Sequence, residues 1–518
     1  MATGQSYGRT SKSLKNSLVA ITIQLISLVL GFWSRRVFLN GLGTEVLGLN
    51  TTATSLLSFL NLAELGISSA IAVTLYKPLF DSDTRSVSEI VALQGWLYRR
   101  VALIIIAASM VLLPFFPRIF NKMDLPMWYA YASFGVLLFS SLLGYFVNYK
   151  QVVLSADQKD WQIQISFRLI MIIKVFAQMI GVSIFSNPYI WWLAFEALFS
   201  IIAAIALNLT VYRNYPYMKE PCVVDKTLRG KYPEVIVKIK QLFIHKIGTF
   251  VTLQAMPLFI YAFTSLSIVA IYGNYMILTN SLQAVLVALF TSITASVGNM
   301  VAEGNRDLIL KVFRELFTVR FFMVGICCFG LYFLSEPFIN LWVGGEYILD
   351  HTTLILIIVL FFCNSIRSAV DIYVNAYGLF RDIWAPVAEA VIFAVSAIIF
   401  GRMYGLNGVL ASAILELVLI VYIWRPYFLF RSGMGCSPGL YFMLFLKMLL
   451  CGAVAFVLAD LLLGLASPDP GSGILPFCIY AVEGCGAFAL IYFTLLYIAE
   501  EGMRTFLTRI LNTLRCQQ

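Results

Sequence analysis

The chain has 518 residues, of which 60% are hydrophobic and 12% charged, with a mean hydropathy of +0.86. That balance lies far from that of a soluble globular domain. Stretches of about 20 mostly apolar residues, enough to cross roughly 30 Å of hydrocarbon, recur along almost the whole chain, which reads as an all-α polytopic membrane protein without a sizeable soluble domain. The formal charge of +9 is explained by membrane topology and calls for no nucleic acid.

The first apolar stretch follows Arg9, Lys12 and Lys15, lacks a small-residue cleavage site and runs into Arg35 and Arg36. It reads as a retained helix rather than a signal peptide. Apolar runs punctuated by glycines and prolines predict fourteen transmembrane helices, at about 14–39, 47–76, 87–114, 127–153, 161–185, 188–213, 241–264, 267–301, 308–334, 352–378, 383–403, 406–430, 439–463 and 474–498. With the N-terminus inside, the cytoplasmic segments between these spans carry 17 lysines and arginines and the outer loops two, Arg118 and Lys122, with Arg402 at the outer end of the eleventh helix. The positive-inside rule then puts both termini in the cytoplasm.

The chain also repeats itself. "YFVNYKQVVLSADQKDW" at 145–161 is echoed by "IYVNAYGLFRDIW" at 372–384, and Asn187 precedes Glu196 by nine residues just as Asn407 precedes Glu416. Predicted helices 4 to 6 thus correspond to helices 10 to 12. An even offset preserves orientation, so the repeats are expected to be related by a pseudo-two-fold axis along the membrane normal. The expected plan is two six-helix lobes, 1–225 and 226–433, the second opening with a basic cytoplasmic linker, followed by helices 13 and 14 and a cytoplasmic tail in 434–518. The linker "YPYMKEPCVVDKTLRGKYPEVIVKIK" and the tail "MRTFLTRILNTLRCQQ" read as amphipathic strips attracted to anionic lipid.

The nine cysteines show no CxxC spacing, and Cys327, Cys328, Cys363, Cys451, Cys478 and Cys485 lie in apolar stretches. They read as buried thiols. The two histidines, His245 and His351, are far apart in sequence, so neither metal nor cofactor is expected.

Embedded charges carry the functional signal, because each costs about 2.5–3.5 kcal/mol at the bilayer centre on an insertion scale and seeks a partner or a wet cavity. Arg168 and Lys174 lie in helix 5, Arg320 in helix 9 and Arg367 in helix 10. At about 100° per residue, Gln164, Arg168, Lys174 and Gln178 share one side of helix 5, and Asn50, Thr54, Asn61, Glu64 and Ser68 share one side of helix 2. Asn274, Ser281, Ser292 and Asn299 align on helix 8, and Asn364, Arg367, Asp371 and Asn375 on helix 10. A shared central cavity would satisfy all four stripes. The embedded acids Glu64, Glu196, Asp371, Glu389, Glu416 and Asp460 are partners for these cations or carriers of coupling protons, or, for Glu196 and Glu416, repeat-related helix contacts. Simpler readings stand beside these. Arg367 and Asp371 are spaced to pair along their helix, while Arg35, Arg36, Arg99, Arg100 and Lys447 are placed to snorkel.

The segments "RRVFLNGLGTEVLGLN", "LNLAELGISSAIAVTLYKPL", "YGNYMILTNSLQ" with "ASVGN", and "NAYGLFRDIWAPVAEA" resemble the bacterial polysaccharide-transport flippases of the multidrug/oligosaccharidyl-lipid/polysaccharide exporter superfamily. The resemblance spans about residues 11–430. It implies two six-helix bundles in the bacterial inner membrane that move an undecaprenyl-pyrophosphate-linked glycan to the periplasmic leaflet by ion-coupled alternating access. Its implied partners are that glycan, membrane lipids, and a polysaccharide polymerase with its chain-length machinery. Arg35 and Arg36 are the motif positions carried over as pyrophosphate ligands; Arg168, Lys174, Arg320 and Arg367 join them from the charge pattern, with Asn50, Asn61 and Asn274 meeting sugars and Glu64, Asp371, Glu196 and Glu416 coupling the ion. A multidrug exporter of the same superfamily would want an acid-dominated cavity. A membrane-embedded glycan polymerase or acyltransferase would want a larger outer loop or paired catalytic groups, so no enzyme is expected.

Overall fold

The computed structural model describes the backbone of residues 2–515 except 65, 221, 223, 380 and 467–469, and their side chains except 2–18, 20, 63, 226, 229, 234, 240–242, 244–249, 291–292, 294–295, 465–466 and 510–515. Arg9, Lys12, Lys15, His245 and Ser292 therefore fall outside the described side chains.

Among the described residues there are helices and no strands. The helices are α1 (Ala2–Leu60), α2 (Ile67–Phe80), α3 (Thr84–Leu112), α4 (Trp128–Phe146), α5 (Leu169–Ile184), α6 (Pro188–Asn214), α7 (Lys226–Lys231), α8 (Pro233–Phe263), α9 (Leu266–Glu303), α10 (Arg306–Trp342), α11 (His351–Ala376), α12 (Trp384–Glu416), α13 (Gly439–Ala466), α14 (Ile474–Ala499) and α15 (Glu501–Arg515). Eleven helices among the described residues are long and apolar enough to cross a membrane. Two of these runs, Ile21–Leu60 and Trp384–Met434, have 40 and 51 residues, more than one crossing requires. Each is broken by a glycine outside helical geometry, Gly43 (φ 81°) and Gly405 (φ 57°), a positive φ that costs a residue without Cβ little. Large apolar side chains such as Val29, Ile104, Val111, Leu461 and Leu490 remain exposed, as lipid-facing surfaces require.

The predicted second helix is interrupted. Asn61–Glu64 forms a 3-10 turn and Gly66 sits at φ 93° before α2 begins, so the polar residues from Asn50 to Ser68 do not form one continuous stripe. A π-helical turn at Gln164–Arg168 precedes α5. The wider turn changes the angular relation between Arg168 and Lys174 that a regular helix would give.

The chain divides into two compact units, Met1–Ala270 and Ile271–Gln518. In the first, α8 packs against α1 and α2, although the sequence reading gives this segment to the second lobe. The cause lies in the linker. Rather than lying free as a lipid-seeking strip, it inserts Tyr215, Met218, Leu228, Tyr232 and Val235 into a core with Val87, Ile90 and Leu93 of α3 and Val153 and Leu154. Its charges serve the same docking: Lys231 donates to Glu89 at 2.5 Å and Tyr232 to the same carboxylate at 2.9 Å. The Glu89 hydrogen bond raises the Lys231 ammonium above its usual pKa.

In the second unit, Phe313, Phe317, Phe321 and Phe329 run along the buried side of α10 at the spacing of one helix face. They meet Tyr373, Phe430, Tyr441, Phe445 and Phe488. Helices α13 and α14 pack with this unit, α14 against α10, where Gly325 leaves room for the Tyr492 ring. The tail helix α15 also lies on α10, through Arg509 and Glu315 at 2.7 Å. The described cysteines are free thiols. Cys478, expected in the interior, is exposed on α14.

Helix α1 meets the first turn of α9 with almost no space between backbones. A Cβ on Gly48 would lie 1.9 Å from the Leu266 carbonyl oxygen. Gly48→Ala is expected to cost about 1–3 kcal/mol through forced separation, seen as a lower Tm of the detergent-solubilised protein. Gly135→Ala, with nothing within 4 Å of the new atom, is the matched control. Equal Tm values for both variants would contradict this contact.

Candidate functional site

In the first unit, Arg35 donates through Nη2 to the Ala270 carbonyl at 2.6 Å, so it ties α1 to α9. Its neighbour Arg36 is exposed on the unit's surface. Asn50 is half-buried, and its Oδ1 is buried without a hydrogen-bond partner. Asn61 donates to Ser141 Oγ at 3.2 Å.

Glu64 occupies the break between α1 and α2. Its two carboxylate oxygens accept from Tyr98 Oη at 2.7 Å and Tyr145 Oη at 2.9 Å. The two phenol rings stand edge to face, 5.3 Å apart. The carboxylate is therefore held by neutral donors from α3 and α4.

Arg168, inside the π turn, is exposed. Lys174 instead pairs with Glu196 of α6 at 2.8 Å, and Gln178 donates to the same carboxylate and to the Trp192 carbonyl, both at 3.0 Å. The helix 5 residues are thus split: Lys174, Gln178 and Glu196 come together and Arg168 stays apart. The π turn explains why a regular wheel joined them.

In the second unit, Arg367 donates to Asp371 at 3.3 Å, and Arg425 reaches Asp371 at 2.6 Å and Glu389 at 3.3 Å. Two cations and two carboxylates form one cluster between α11, α12 and the segment after the π-helical turn Leu417–Trp424. Sequence reasoning named Arg367, Asp371 and Glu389 and missed Arg425, whose signal was an arginine inside the apolar run "LELVLIVYIWRPYF". Asn274 and Glu416 are buried, at 0% and 2% exposure.

Arg320 differs from all of these. It is 0% exposed on α10, donates through Nε to the Ser365 carbonyl at 2.6 Å and lies under the Phe290 ring at 4.6 Å. Both Nη atoms are buried without a hydrogen-bond partner. Ser365 Oγ is turned to Gln283 at 2.6 Å. Asp371, the carboxylate whose field reaches Arg320, is already held by Arg367 and Arg425. Two amino groups of a planar donor fork are thus fixed by the Nε bond and left for an acceptor, the geometry that binds phosphate or carboxylate oxygens in pairs. Among the described residues, no group of three His, Cys, Asp or Glu side chains could hold a metal ion.

No family model matches the chain, and no curated protein matches its sequence. Solved structures do match its fold, and the fold is that of polytopic helical membrane transporters. The lipid II flippase MurJ, in an inward closed conformation, aligns with TM-score 0.62 over 93% of this chain and 98% of its own, at 16% identity. An inward-facing multidrug resistance MATE family transporter of the MOP superfamily aligns with TM-score 0.57 over 81% of this chain and 98% of its own, at 11% identity. A MOP superfamily transporter from Pyrococcus furiosus, described by the reverse polarity of its binding pocket, gives 0.53 over 82% and 96% at 15% identity. The likeness is one of fold.

The Lys174–Glu196 pair has side chains only 15% exposed on both partners. Lys174→Met strands a buried carboxylate and is expected to cost about 3 kcal/mol, while Lys174→Met with Glu196→Gln recovers most of it. Thermal unfolding of both variants in detergent measures the coupling. Equal losses in the single and double variants would show that the pair does not stabilise the bundle.

Proposed function

We propose that this protein is a flippase for an undecaprenyl-pyrophosphate-linked glycan in the bacterial inner membrane, with both termini cytoplasmic, working by alternating access without changing covalent bonds. The observation that carries this reading is Arg320: a fully buried guanidinium in an apolar bundle with both Nη atoms unpartnered. Keeping a charge there is costly, and a diphosphate supplies the missing acceptors. A shift of α9 that lifts Phe290 from the guanidinium opens it to the headgroup. The tail stays in lipid, so only the polar end crosses. The MurJ-like fold, from a protein named as a lipid II flippase, supports a lipid-linked substrate.

The other proposed contacts follow from the placements above. Within the first unit, the exposed cations Arg36 and Arg168 are proposed headgroup contacts, with Arg35 and Lys174 as side chains that would exchange partners; within the second unit, Arg367 is the proposed contact beside Arg320. Asn50, Asn61 and Asn274 meet sugar hydroxyls. Coupling falls first on Glu64, whose carboxylate accepts from two neutral phenols, whereas Asp371 and Glu196 are balanced by cations; Glu416 is the remaining buried candidate. A polysaccharide polymerase with its chain-length machinery would take up the flipped glycan.

In liposomes supplied with a fluorescent undecaprenyl-pyrophosphate-linked glycan, Arg320→Gln is expected to slow flipping by about tenfold or more, the worth of a charge-assisted hydrogen bond, at unchanged amounts of folded protein. Wild-type rates in that variant would remove the headgroup assignment, and a chemically altered product would point to an enzyme. Glu64→Gln is expected to retain gradient-free exchange while losing the acceleration given by an imposed proton gradient. Acceleration equal to wild type would take the coupling role from Glu64.

A further inference from the structure

The first unit contains a second cationic site, unrelated to Arg320. A cavity of about 500 Å3 opens where α3, the turn after α4 and the linker meet, lined by Trp96, Arg99, Tyr149, Lys150, Lys219 and Glu220 among others. Its volume is that of a small-molecule site, and its lining sets three cations against one carboxylate.

Those cations are not engaged by acids. Lys150 donates to Tyr212 Oη at 2.6 Å and to the Met218 carbonyl at 3.3 Å, both neutral acceptors, and lies 4.3 Å from the Tyr212 ring centre. Arg99 and Lys219 are exposed and enter no ion pair among the described residues. Of the acids outside the lining, Asp157 is held by Tyr215 and Lys159, both at 2.7 Å, and Glu89 by Arg85 and Lys231, which leaves Glu220 as the one carboxylate facing the three cations.

The walls are built around the cavity. Gly95 lets the Tyr149 ring lie against α3, since a Cβ there would fall 2.7 Å from the ring. Arg100 stacks over Trp96 at 4.2 Å and fixes that indole. Depth follows from the same helix. Arg99 and Arg100 immediately precede the run Val101–Leu113, apolar but for the buried Ser109, whose Leu103, Ile104, Met110 and Val111 are 58–67% exposed and so face hydrocarbon. Arg99 therefore sits at the level of lipid headgroups, where basic side chains attract anionic lipid.

We infer that this cavity binds a phosphate group, presented by an anionic phospholipid headgroup, with Arg99, Lys150 and Lys219 as the cations that hold it. The linker that roofs the cavity is docked by its own core residues, so an occupied site would also clamp the linker to α3.

The test uses full-length protein in nanodiscs of phosphatidylcholine with added phosphatidylglycerol, reading by native mass spectrometry the phosphatidylglycerol retained per protein. Arg99→Gln and Lys219→Gln, at exposed side chains outside the core, are expected to lower retention by about fivefold each, with phosphatidylcholine unchanged; Arg118→Gln, another exposed cation of this unit, is expected to leave it unchanged. A soluble arm adds inorganic phosphate and pyrophosphate to detergent-solubilised protein and reads heat of binding. Binding there that is lost in the same two variants supports the site with a free phosphate as its ligand. Retention equal to wild type in the Arg99→Gln/Lys219→Gln double variant, with no heat from either soluble anion that the two substitutions abolish, overturns the inference.

Discussion

An ionised side chain inside an apolar bundle must find a counter-charge, a set of hydrogen-bond partners or a ligand, because hydrocarbon offers none of the solvation that water gives. The two units meet this constraint residue by residue. Lys174 has Glu196, Arg367 and Arg425 share Asp371, with Glu389 behind Arg425, Arg35 has a backbone carbonyl and Glu64 has two phenols. Arg320 satisfies it only at Nε. The functional reading rests on that contrast within one molecule rather than on the presence of charge as such, since paired charges are also what structural cohesion requires.

Breaks in helical geometry place several of these groups. The 3-10 turn ending at Glu64, with Gly66 beyond it, brings the carboxylate between Tyr98 and Tyr145. The π-helical turn Leu417–Trp424 precedes Arg425 and aims it at Asp371 and Glu389. Another π turn separates Arg168 from the Lys174 pair. Irregular backbone at membrane depth is tolerated where it is buried in protein or lines a cavity, and single π turns recur at functional positions.

Much of this was legible in the sequence. Hydropathy marks the membrane-crossing segments because lipid selects apolar side chains on exposed surfaces, and the embedded charges Arg320, Arg367 and Lys174 stand out against that background. The spacing of Arg367 and Asp371 already allowed a pair along one helix, and the structure adds Arg425 to it across 54 positions, a distance no local pattern encodes. The polar stripes were less legible, since a helical wheel assumes a constant turn angle that the 61–66 break and the 164–168 π turn do not keep. The basic linker was misread for a related reason. Its aromatic and aliphatic residues suit a lipid surface and a protein core equally, and only the fold shows that α3 provides the core. That Arg320 would lack partners for its Nη atoms is a property of its neighbours on α9 and α11, invisible in α10 alone.

The most direct measurement is an experimental structure of the protein with undecaprenyl pyrophosphate bound. Phosphate oxygens at about 2.7–2.9 Å from the Arg320 Nη atoms, the usual length of a charge-assisted hydrogen bond, with Phe290 displaced from the guanidinium, are the expected result. A bound diphosphate held elsewhere while Arg320 stays sealed beneath Phe290 would contradict the central claim.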